Sequence, residues 1–103
     1  MTNTKIDKWA LDTTRQIISS VLSNESIKVY LFGSRATGDV HRFSDIDIAL
    51  EAKRGPVQDK LLVTINELLE DSNIPYTVDV VDLAHVSEKL RDRVYKEGIK
   101  WTA

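Results

Sequence analysis

The sequence predicts an α/β (α+β) fold, a small β-sheet flanked by helices in the order α-β-α-β-α-β-α. Three observations predict it. Strand-like runs rich in β-branched and aromatic residues, at 27–32, 45–51 and 76–83, alternate with stretches of helical periodicity. Glycine, proline and short polar clusters separate nearly all of them. The composition, 42% hydrophobic and 29% charged over 103 residues, suits one globular domain spanning 1–103 with a modest core.

Residues 4–23 read as the first helix. Ile6, Trp9, Thr13, Ile17 and Val21 recur at helical spacing, with Ala10, Ile18 and Leu22 widening the stripe. The cluster "SNES" breaks it. "IKVYLF" (27–32) follows as a strand, apolar on both faces near its end, as expected of an interior strand covered from both sides. The connection "GSRATGDVHRFS" has room for a short helix in its first half. "DIDIALE" (45–51) alternates strictly: Ile46, Ile48 and Leu50 take one face, Asp45 and Asp47 the other. After the turn "AKRGP", Pro56 suits the first turn of a helix running to about Asn73, with Val57, Leu61, Ile65 and Leu68/Leu69 inward. "YTVDVVDL" (76–83) is the third strand. "VSEKLRDRVYKEG" is a last helix, placing Val86, Leu90 and Val94 inward and stopping at Gly98.

Composition narrows the functional classes. Fourteen basic and sixteen acidic residues give a net charge of −2, so direct nucleic-acid binding is not favoured. No cysteine is present, which excludes disulfides and thiolate metal sites. No apolar run approaches the ~18 residues of a membrane span, and the N-terminus carries no apolar leader, so a cytoplasmic setting is the expectation. His41 and His85 have no partners at metal-ligand spacing. Trp9 and Trp101 read as core or partner-contact residues. Lys89, Arg91, Arg93, Lys96 and Lys100 are interleaved with Glu88, Asp92 and Glu97, which reads as a solvated helix face.

Two features carry chemistry. Gly33 follows an apolar strand, where glycine permits a positive φ and close approach of a ligand to the backbone. Ser34 adds a hydroxyl and could cap the short helix that follows. A glycine turn between strand and helix is suited to anions, and Arg35 and Arg42 add positive charge nearby; the same residues also make an ordinary turn. Asp45 and Asp47 sit at i and i+2 on a strand, about 7 Å apart at Cα. At an effective dielectric near 20 they would repel by roughly 2 kcal/mol, which a divalent cation would relieve. Asp79, inside a run otherwise suited to burial, supplies a third carboxylate that a solvated surface does not need. Asp82 faces the other way and reads as a loop or helix-cap residue.

Gly33-Ser34, ten residues, then Asp45-x-Asp47, with Asp79 on a later strand, form a G-S-x10-D-x-D pattern. Together with the layout "FGSRATG…SDIDIAL…TVDVVDL…EG", this resembles the minimal nucleotidyltransferases (MNT) of the DNA polymerase β-like nucleotidyltransferase superfamily, found as antitoxins in HEPN/MNT toxin–antitoxin pairs. The resemblance spans about Val29 to Gly98. It implies a polymerase β-like core with a small mixed sheet. It also implies a two-ion Mg²⁺ site held by Asp45, Asp47 and Asp79, and ATP as substrate gripped at Gly33 and Ser34, with Arg35 and Arg42 as weaker phosphate contacts. The reaction would be AMP transfer to a tyrosine hydroxyl of a HEPN-domain toxin. Asp45, Asp47 and Asp79 are then the catalytic residues, and all three are present. Two other readings stand beside it. In one, a non-catalytic antitoxin neutralises a HEPN partner by occlusion. In the other, the chain modifies a small molecule, which is disfavoured because such enzymes usually add a domain for the acceptor. Homo-oligomerisation is left open.

Overall fold

The computed structural model describes residues 4–23, 25–38 and 45–102. Its elements are α1 (Thr4–Leu22), β1 (Ile27–Phe32), α2 (Ser34–Thr37), β2 (Ile46–Ala52), α3 (Asp59–Glu70), β3 (Val78–Asp82), α4 (Glu88–Glu97) and β4 (Ile99–Lys100), with a 3-10 turn at Leu83–His85. The four strands form one mixed sheet in the order β3-β2-β1-β4. β1 runs antiparallel to both neighbours, and β2 and β3 run parallel.

Each face of the sheet is covered, as the two-sided apolar character of β1 requires. On one face Val29 and Leu31 of β1 and Ile46, Ile48 and Leu50 of β2 meet Ala10, Ile18 and Leu22 of α1 and Ile65 of α3. On the other, Tyr30, Phe32 and Ala49 meet Leu83 and Val94. Burying Ile46, Ile48, Leu50 and Ile65, all with no exposed surface, stabilises the sandwich by about 2 kcal/mol per side chain before the entropy of ordering is counted.

Several expectations are corrected. The inward row of α1 is Ala10, Thr14, Ile18 and Leu22, an unbroken i+4 series, whereas Ile6 and Trp9 are 43% and 46% exposed. Thr14 joins a buried row because its hydroxyl donates to the Ala10 carbonyl at 2.7 Å, satisfying the polar atom within the helix. Trp9 is therefore not a core residue; Trp101 is half-buried and packs against the core. α3 starts at Asp59, not Pro56, and ends at Glu70. Val57 stays outside the helix because its N–H is held by the Asp82 carboxylate at 2.8 Å. Asp82 also accepts from Ala84 N at 2.9 Å, so its reading as a cap holds. The strand β4 and the 3-10 turn were not anticipated: a two-residue strand shows no periodicity. Arg91 is not part of a solvated face; its guanidinium donates to the Leu83 carbonyl at 2.8 and 3.1 Å.

Candidate active site

β1 ends at Phe32, and Gly33 turns the chain directly into α2. Gly33 has φ 76°, the left-handed side that glycine reaches without strain. A Cβ there would fall inside the van der Waals shell of Asp47 Oδ2. The turn therefore lies close to the Asp47 carboxylate, and its positive φ is what demands glycine. Its carbonyl accepts from Ala36 N at 3.1 Å and Thr37 N at 3.2 Å, which closes the single turn of α2. The cap position falls on Gly33, so Ser34 is the first helical residue and not the cap.

The sheet register assembles the acidic side. Asp47 is opposite Phe32 of β1 and Asp79 of β3, so Asp47 and Asp79 leave the same face on adjacent strands. This is the face that α4 covers over Tyr30 and Ala49; beyond that cover Asp47 is half-buried and Asp79 exposed. Asp79 therefore sits on an edge strand, not inside a buried one as its apolar neighbours imply. Asp45 lies just before β2 and is exposed. Burial pushes the Asp47 carboxyl above the usual carboxylate range, and the negative charges of Asp79 and Asp45 push it the same way; Arg35 opposes them.

Among the described residues, no three acidic, histidine or cysteine side chains gather closely enough to hold a metal by themselves. The three aspartates share one end of the sheet without forming a closed cage. They nonetheless fit Mg²⁺. All donors are hard oxygens, and Asp47 stands in an excess of negative charge. Mg²⁺ moreover takes one or two carboxylates and completes its shell with phosphate oxygens and water.

Arg35, expected at the phosphates, is buried against α1 and the segment ahead of β3. Its side chain is only 2% exposed, with Nη1 3.4 Å from Asp7 Oδ1, and its guanidinium lies 4.4 Å over the Tyr76 ring. Asp7 and Tyr76 carry no signal in the sequence, because they meet Arg35 only through the fold. Arg42 and His41 lie outside the described residues. His85 is exposed.

Comparison with known proteins places these features in company. Residues 15–101 match the family described as "Polymerase beta, Nucleotidyltransferase". The chain is 32% identical over 68 residues to "Probable protein adenylyltransferase MntA" of Haemophilus influenzae; the match covers 66% of this chain and 59% of that protein, so it spans under two thirds of the relative's length. Among solved structures, a toxin–antitoxin complex with AMP-PNP superposes with a TM-score of 0.66 at 31% identity, covering 86% of this chain and 73% of the other. The complex of tri-AMPylated Shewanella oneidensis HEPN toxin with its MNT antitoxin superposes with a TM-score of 0.57 at 25% identity, covering 89% of this chain and 72% of the other.

Proposed function

The chain belongs to the polymerase beta nucleotidyltransferase family, and from that premise we propose that it is a Mg²⁺-dependent protein adenylyltransferase. It moves AMP from ATP to a tyrosine hydroxyl of a HEPN-domain partner and acts as the antitoxin of the pair, in the cytoplasm. The observation that carries this reading is the meeting of the Gly33 turn with Asp47, itself in register with Asp79. A turn without a Cβ and a paired acidic edge are what a triphosphate and its cation require at one point.

The roles follow from position. Gly33 and Ser34 receive the β- and γ-phosphates. Asp45 and Asp47 hold Mg²⁺, and Asp79 completes a second ion site. The chemistry supplied by the bound ions is neutralisation of charge at the reacting phosphate and activation of the acceptor oxygen. The tyrosine oxygen attacks the α-phosphorus. A new O–P bond forms, the bond from the α-phosphorus to the bridging oxygen breaks, and pyrophosphate leaves. The phenolic proton, with an ordinary pKa near 10, passes to Asp79, which is exposed beside Asp47. Arg42 is retained as a phosphate contact from its place in the motif; Arg35 is not.

The relatives support this reading by what they are: one is named an adenylyltransferase, and one is an antitoxin bound to an AMPylated toxin. The test incubates the chain with Mg²⁺, α-labelled ATP and the product of the neighbouring gene. Label should reach the partner with the wild type and not with Asp45→Asn/Asp47→Asn. Neutralisation of the partner by that double variant, without labelling, would replace transfer by occlusion.

A further inference from the structure

We propose that Asp7 and Tyr76 are positioning residues of the nucleotide site: with buried Arg35 they form a clamp that fixes the Gly33–Ser34 turn. The inference rests on reading that turn as the triphosphate site. Arg35 follows the turn directly, as the second residue of α2. Its guanidinium meets Asp7 Oδ1 of α1 at 3.4 Å and stacks 4.4 Å over the ring of Tyr76, just ahead of β3. Tyr76 closes the triangle by donating its hydroxyl to the same Asp7 oxygen at 2.6 Å. Two segments far apart in the chain thus converge on one side chain of the turn's helix.

The physical case is that α2 cannot place itself. A four-residue helix lies far below the length at which helices stand alone, so its position comes from tertiary ties. Ala36 supplies one by packing on the core. Arg35 supplies the directional one, because a buried guanidinium must keep its charge partner and its planar face must find a surface. The helix so anchored starts at Gly33, which lies close to the Asp47 carboxylate. Loosening the clamp lets Gly33 and Ser34 drift relative to the aspartates. A shift of about 1 Å in such a site costs up to ~10²-fold.

The experiment uses Asp7→Asn, Asp7→Glu, Tyr76→Phe and Tyr76→Leu in the full chain. It measures Mg-ATP affinity by calorimetry, melting temperature, and amide hydrogen exchange. Asp7→Asn and Tyr76→Leu should weaken Mg-ATP binding about 10- to 100-fold. They should also speed exchange at the Ala36 and Thr37 amides about tenfold more than in β2. Tyr76→Phe, which keeps the stacking surface, should lose less, and Asp7→Glu should restore part of the affinity. Unchanged affinity in the folded variants, or exchange that rises uniformly with lost stability, overturns the clamp. Wild type that binds no Mg-ATP overturns the nucleotide reading itself, and the positioning role with it. The two failures are therefore separable.

Discussion

Replacing Asp47 by Asn should make the protein more stable while abolishing its transfer activity. Asp47 and Asp79 are register partners on adjacent parallel strands, where backbones lie about 4.8 Å apart. With carboxylates about 6 Å apart, two charges repel by roughly 3 kcal/mol at an effective dielectric of 20, and by about 0.7 in water. Asp79 is exposed, so the water-side figure weighs more, and about 1 kcal/mol is the expected relief. Burial of the Asp47 carboxylate acts with the same sign. The gain converts to a rise of about 4–8 °C in Tm. Because the folded carboxyl is raised above its ordinary 3.8, wild type loses stability as pH climbs from that value through the raised one. The two proteins should therefore diverge in metal-free buffer at pH 7 and converge below about pH 3. Added Mg²⁺ should stabilise wild type alone and narrow the gap. Transfer should fall at least ~10²-fold. The assay is thermal denaturation across pH, paired with labelling of the acceptor. An Asn variant that melts at or below wild type at pH 7 would refute the charge reasoning.

Three further outcomes can be checked. Gly33→Ala should cost about 1–2 kcal/mol in urea denaturation and most of the Mg-ATP affinity, because the residue has φ 76° and its Cβ collides with Asp47. Asp82→Ala should cost about 2–4 kcal/mol by the same assay, since it orphans the Val57 and Ala84 amides at once. The Tyr30 and Tyr95 hydroxyls both donate to Glu51. Both tyrosines are raised above 10.0, Tyr30 chiefly by burial and Tyr95 chiefly by its bond to Glu51. The stability these bonds lend is full below pH 10 and is lost as pH rises through the raised values. Ultraviolet titration of Glu51→Gln should show Tyr95 ionising closer to pH 10.

The sequence by itself determined the order of the longer elements, the three long strands and their apolar faces, because period-2 and period-3.6 patterns are local. The candidate site was legible there too, since Gly33, Ser34, Asp45 and Asp47 lie within one short stretch whose spacing is the signal. What lay beyond local pattern was decided only by tertiary structure. Asp79 looked buried from its valine neighbours, yet β3 is the edge of the sheet and leaves it exposed beside Asp47. The α1 row turned from Ile6 and Trp9 to Ala10 and Thr14, because the rotation of a helix is set by what it packs on. Arg35 looked like a phosphate contact from its place in the motif. Its actual partners, Asp7 and Tyr76, are 28 and 41 positions away along the chain. A charge seeks the nearest counter-charge in space, and no periodicity in the sequence records which residue that will be.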